Sequence, residues 1–210
     1  MTHTHHRRGD KTSLEGDYVL LAMTARGFND QGTAPKLKRI LEIFAKYNPV
    51  NMGNMTAEQS LCMARGACIE EIIRKTSSKG IIHAVYASKE SAQYALKEIK
   101  EADLGISIVT TGIFEEVFHM ADELGIKQPR TVNLSLDILG NTKRLPSEPV
   151  LEILTMCGHS LVSKQLIEQQ LKRLRARKTT VQQAAAELAK QCVCGIFNPV
   201  RAEHLLEKNM

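Results

Sequence analysis

Between Asp17 and Ile138, short apolar runs rich in β-formers alternate with stretches whose apolar residues recur at three- and four-residue spacing. This alternation limits what the chain can fold into more than any other feature. Asp17–Thr24, Gly80–Ala87 and Gly105–Thr110 read as strands, and Thr131–Leu136 as a fourth. Leu37, Ile40, Leu41, Phe44 and Ala45 mark one helix, opened near Pro35 and stopped by Asn48-Pro49. Ser88 caps a second helix through Ala102, and Phe114–Leu124 is a third, closed by Gly125. Asn51–Met55 reads as a turn. Thr56, with Glu58 and Gln59 behind it, reads as the N-cap of a helix from Ala57 to about Lys75 that carries Cys62 and Cys68. Strands alternating with helices predict an α/β fold: a parallel or mixed sheet of about four strands flanked by helices.

Beyond Gly140-Asn141 the pattern becomes helical throughout, with Pro149–Cys157, Val162–Arg177, Val181–Gln191 and Pro199–Lys208 as elements. Three parts are therefore expected: a disordered His/Arg-rich arm over 1–16, an α/β domain over 17–140 and a helical C-terminal segment over 141–210. In the arm, His3, His5 and His6 offer at most weak metal binding.

Composition narrows the function. The 210 residues include no Trp, 4 Tyr and 5 Phe, so the core must be aliphatic and platforms for stacking bases are disfavoured. No apolar run approaches the roughly 18 residues that span a bilayer. The first residues carry no apolar stretch behind their charges, so no export signal is read and a cytoplasmic, non-membrane protein is expected. In that compartment five cysteines are an unsuitable basis for a disulfide framework. They are small buried hydrophobes, reactive thiols, or ligands of zinc or an iron–sulfur cluster.

The sharpest constellation is Cys157-Gly158-His159 paired with Cys192-Val193-Cys194-Gly195. Each motif falls at an expected helix end beside a glycine. Residues two apart on a regular helix point in widely different directions, whereas a turned backbone can converge them on one ion. Three thiolates and an imidazole suit Zn²⁺. Three thiolates with a further cysteine, Cys62 or Cys68, suit an iron–sulfur cluster instead. Inert packing of these cysteines is the plain alternative.

Thr110-Thr111-Gly112, between an apolar strand and a helix, could hold the anionic end of a small ligand on backbone N–H groups. The loop Arg26–Thr33 would border the same crevice if the sheet were parallel. No glycine-rich nucleotide motif is present, and Glu115 and Glu116 follow at once. His83, His119 and Asp137 are lone acid–base candidates.

The formal charge is +5, with Lys164, Lys172, Arg173, Arg175, Arg177 and Lys178 concentrated within fifteen residues. A solvated basic helix face is the plainer reading, and nucleic acid or an acidic partner the sharper one. Thr179–Ala189 resembles the first helix of a helix-turn-helix, which would make Pro199–Lys208, with Arg201, His204 and Lys208, the reading helix. Three functions stay open: a metal- or iron–sulfur-associated protein, a DNA-binding regulator with a ligand-sensing domain, or a metal-free enzyme acting on a small anion. A homodimer packed through the C-terminal helices is compatible with each.

Overall fold

Tyr18–Met23 forms strand β1, whose residues Tyr18 to Ala22 are all buried. A strand buried on both faces must lie inside a sheet covered on both sides. The computed structural model describes residues 7–56, 60–127, 131–133 and 138–210. His3, His5, His6, Glu58, Gln59 and Asp137 lie outside the described residues, as do 134–136 of the expected strand Thr131–Leu136. Residues 131–133 are not in a strand.

Asn51–Met55 forms β2, Ser60–Cys62 β3, Ile81–Tyr86 β4 and Ser107–Thr111 β5. The order across the sheet is β3-β2-β4-β1-β5. Every neighbouring pair is antiparallel, with Leu21 opposite His83 and Val109, and Gly53 opposite His83 and Cys62. The expected parallel or mixed sheet of about four strands is therefore wrong: the described residues form one antiparallel sheet of five strands. The cause is topological. The helix Ala34–Lys46 (α2) joins β1 to β2, but β4 lies between those two strands. The helix Lys89–Ala102 (α4) joins β4 to β5 across β1. Two split β-α-β units interleave, so each strand is parallel to its partner in sequence and antiparallel to its neighbour in space.

The stretch read as a turn at Asn51–Met55 is thus a strand. The expected helix from Ala57 to Lys75 resolves, over its described residues, into β3, a 3₁₀ turn at Met63–Arg65 and a short helix α3 at Ile69–Arg74. Gly66, at φ +87°, breaks the helix between its two cysteines.

The sheet separates two cores. Tyr18, Leu20, Ala22, Ile82, Ala84 and Tyr86 face α2, α3, α4 and the helix Phe114–Glu123 (α5). On the opposite face Val19 and Val85 meet the C-terminal helices: Glu148–Thr155 (α6), Lys164–Arg175 (α7), Val181–Gln191 (α8) and Pro199–Lys208 (α9). Fully burying one such aliphatic side chain is worth about 1.5–3 kcal/mol, so both layers are anchored by the same sheet. The C-terminal segment is its second cover.

Residues 7–16, expected to belong to a disordered arm, pack against this assembly. Lys11–Leu14 forms a one-turn helix (α1) capped by Asp10. Ahead of it, Arg7 reaches the buried Asp17 carboxylate at 2.6 Å. Asp17 also takes hydrogen bonds from Arg201 at 2.9 Å and Asn198 at 3.1 Å, fastening the N-terminal segment to α9.

Among the described residues, no helix is long and apolar enough to cross a membrane.

Candidate functional site

The C-terminal helices deliver their sulfur atoms to one point through two tight turns. Beyond α6, Ser160 donates its backbone N–H to the Cys157 carbonyl at 2.9 Å and adopts φ +55°, folding Cys157-Gly158-His159 back on itself. Beyond α8, Gly195 makes the matching bond to the Cys192 carbonyl, also at 2.9 Å, with φ +75°. Both turns take a left-handed residue, which tightens the chain and brings the intervening side chains together.

The result is a continuous chain of contacts. Cys192 Sγ lies 3.6 Å from Cys194 Sγ, and Cys194 Sγ lies 3.6 Å from His159 Nδ1. Cys157 is hydrogen-bonded to Cys192. The three cysteines are buried, while His159 sits at the surface and closes the group from outside. Cys157, His159, Cys192 and Cys194 are thus brought together across 35 residues of chain. No disulfide joins them; all five cysteines are free thiols.

The electrostatics follow from that chain. The bond to Cys192, and then burial, push the Cys157 thiol well up. Cys192 gains some acidity from accepting the Cys157 bond. Its own bond to Cys194 and its burial outweigh that gain, so it is pushed up to about 12. Cys194 is lowered, chiefly because Cys192 donates to it. Negative charge is therefore most readily held at Cys194, next to the imidazole. Backbone N–H groups add to this. Those of Leu161 and Val162 point at Cys157, that of Phe197 at Cys192 and that of Ile196 at Cys194. Such donors stabilise thiolate over thiol.

Residues that the sequence reading passed over hold the two turns in place. Arg7, with only 4% of its side chain exposed, donates to the carbonyl of Met156 at 3.3 Å and to that of Ile196 at 2.7 Å, so it bridges both turns. Ser60 Oγ donates to the Val193 carbonyl at 2.7 Å, and Asn51 Nδ2 to that of Phe197 at 3.1 Å. No local pattern marks these residues, because each acts on a partner more than 130 positions away.

Cys62 and His83 underlie the second turn. A Cβ on Gly195 would stand 2.4 Å from Cys62 Cβ and 3.1 Å from His83 Nε2, so only glycine fits there. Of the two further cysteines considered, Cys62 is buried beside the group, whereas Cys68 is exposed at the start of α3. His83 belongs to this packed face of β4. His119 is an exposed helix residue 3.4 Å from Glu123.

Among the described residues, no group of three or more His, Cys, Asp or Glu side chains is arranged, as it stands, to hold a metal ion. What the fold supplies is the donor set, its pairwise contacts and its N–H support.

Thr110 and Thr111 end β5, and Gly112 follows before α5. They line a cavity of about 790 Å³ together with Ile99, Ile108, Val117 and Phe118. Because the sheet is antiparallel, the loop Arg26–Thr33 lies at the other end of β1: Asn29 Nδ2 bonds the Gly105 carbonyl, before β5 begins. The shared crevice expected from a parallel sheet is absent. Gly112 serves packing instead, since a Cβ there would meet the Tyr18 ring at 2.9 Å.

No protein-family model matches the chain, and no curated protein or solved structure matches it either.

Proposed function

We propose that the protein is a cytoplasmic, metal-associated α/β protein in which Cys157, His159, Cys192 and Cys194 bind a single Zn²⁺ ion as a structural clamp. One observation carries the reading: Cys194 Sγ lies 3.6 Å from both Cys192 Sγ and His159 Nδ1, and the buried Cys157 of the first turn interacts with Cys192. With Zn–S bonds of about 2.3 Å and Zn–N bonds of about 2.0–2.1 Å, a tetrahedral ion sets its sulfurs about 3.8 Å apart and sulfur from nitrogen about 3.5–3.6 Å. Cys192 and Cys194 already touch at this separation, as do Cys194 and His159, and the thiols need only lose their protons to bind.

The chemistry of the set agrees. Backbone N–H groups aimed at sulfur are the outer support that thiolate ligands require. Four protein donors leave no open coordination position, which favours structure over catalysis. In a [4Fe–4S] cluster each thiolate binds a different iron, and an imidazole beside three cysteines suits one zinc ion better. The ion would join the end of α6 to the end of α8 against the sheet.

The test is elemental analysis of protein purified without added metal or chelator. Stoichiometric zinc in the wild-type chain, lost in Cys157→Ser and Cys194→Ser, is the expected result. Stoichiometric iron with acid-labile sulfide would replace zinc with a cluster. Metal-free protein that fails to take up Zn²⁺ or Co²⁺ would refute both.

A further inference from the structure

The corner between α7 and α8 concentrates positive charge beyond what the fold uses. Lys172, Arg173 and Arg175 occupy the last turn of α7, and Arg177 and Lys178 follow it directly. All five are exposed. Neighbouring lysines are neutralised by their own helices, Lys164 by Glu168 at 3.6 Å and Lys190 by Glu187 at 3.5 Å. Among the described residues none of the five has a carboxylate partner; Arg175 donates to the Asn209 carbonyl at 2.9 Å, tying the corner to the end of α9.

A helix C-terminus attracts cations, but that attraction fades beyond the last turn. It accounts for Lys172, Arg173 and Arg175 and not for Arg177 and Lys178. The backbone makes the point more sharply. Arg177 N–H bonds the Leu174 carbonyl and Lys178 N–H bonds the Arg173 carbonyl, both at 2.8 Å, closing the helix with a left-handed residue. That residue is Arg177, at φ +54°. Glycine or asparagine is favoured there, and an arginine stands there at a conformational cost. The cost sets a cation on the outside of the turn.

We infer that this corner binds the phosphodiester backbone of duplex nucleic acid, without reading its sequence. Three of the five cations are arginines, whose planar donors match phosphate oxygens in pairs. Thr179, Thr180, Gln182 and Gln183 continue the surface with neutral polar groups. A duplex is favoured over single strands because the helical segment 141–210, which carries the corner, offers no exposed aromatic for stacking; its one aromatic, Phe197, is fully buried. Base recognition has no vehicle either. Arg201, which a reading helix would need, is committed to Asp17, and the exposed face of α9 sets Glu207, with the half-buried Glu203, beside His204 and Lys208. The inference is independent of the zinc site.

The experiment is fluorescence anisotropy of labelled DNA and RNA duplexes of equal length, titrated with the full chain over a series of salt concentrations. Binding that weakens steeply with salt is expected, and the duplex bound more tightly identifies the source of the phosphates. The triple variant Arg173→Gln, Arg175→Gln, Arg177→Gln should flatten the log–log salt slope by about 2–3, since each phosphate contact adds about 0.9. The charge-matched variant Lys36→Gln, Lys38→Gln, Lys97→Gln, on the opposite layer, should leave the slope unchanged. Circular dichroism of both variants checks that they fold. The inference falls if neither duplex binds at low salt, or if both variants flatten the slope equally. It also falls if polyglutamate or anionic phospholipid vesicles compete as well as the duplexes do.

Discussion

The residue on which most of the C-terminal half turns is Asp17. Its side chain is wholly buried, and it takes hydrogen bonds from Arg7, Arg201 and Asn198. This one carboxylate is shared by two nearly inaccessible guanidinium groups, of which Arg201 also reaches Glu152 at 3.8 Å. Removing it leaves Arg7 without that carboxylate and Arg201 with Glu152 alone at 3.8 Å, and breaking a buried pair typically costs about 3–5 kcal/mol. Asp17→Ala is therefore expected to lower the free energy of unfolding in urea by about that amount, and an effect under 1 kcal/mol would show that Glu152 or water compensates the arginines. Arg7→Ala tests a different role. Arg7 spans the carbonyls that flank both cysteine turns, so its loss should reduce Zn²⁺ affinity by about 10–100-fold, the range of outer-support residues. Competition with a chromophoric chelator measures it. Neither residue announced itself in sequence. An arginine among histidines and glycine reads as a solvated tail, because a partner in the last helix leaves no mark on the residues beside it.

At the scale of elements, glycine separates the two turns that look alike. Gly195 and Gly66 both adopt left-handed backbone, at φ +75° and +87°. A Cβ on Gly66 meets nothing within 4 Å, whereas one on Gly195 would collide with Cys62 Cβ at 2.4 Å. Gly66→Ala should cost only the backbone preference, about 1 kcal/mol. Gly195→Ala adds overpacking of about 1–3 kcal/mol and should also disturb the cysteine group, visible as faster alkylation of Cys192 and Cys194 in the folded protein. Equal losses in the two variants would mean that the second turn does not dock closely on β3 and β4. The same docking explains why β2 escaped notice. Asn51, Gly53 and Asn54 carry turn chemistry, yet Asn51 is spent on the Phe197 carbonyl and Gly53 gives His83 and Cys62 room to approach. Those residues are polar and small because a second layer lands on them. The helices α2, α4, α5, α8 and α9 were legible from periodicity and caps, since these signals are local. Strand direction was not, because a helix between two strands looks the same whether or not another strand is inserted between them.

At the scale of the whole molecule, the sheet is shared property. Its one face is covered by α2 to α5, its other by α6 to α9, and adjacent residues of β1 and β4 serve the two cores in turn. The cysteine motifs were legible because ligand chemistry requires particular residue types near turns. Their convergence was not, since it depends on how α6 and α8 lie against the sheet. This architecture ties the zinc site to the far core, and the chain carries its own reporter. It has no Trp and 4 Tyr: Tyr18 and Tyr86 lie in the core beneath α2 and α4, Tyr47 packs against it, and Tyr94 stacks on Tyr47. Intrinsic fluorescence therefore reports only the layer away from the cysteines, while circular dichroism weighs helices of both layers. If the shared sheet makes folding cooperative, removing Zn²⁺ with a chelator should lower both transitions together. Loss of an ion present at about 1,000 times its dissociation constant removes about 4 kcal/mol, which for a chain of this length means a fall in Tm of about 8–16 °C. The Cys157→Ser chain should show the same coincident fall without chelator. A tyrosine transition that stays in place while the dichroism splits would show that the C-terminal layer unfolds alone, with the sheet surviving as an independent unit.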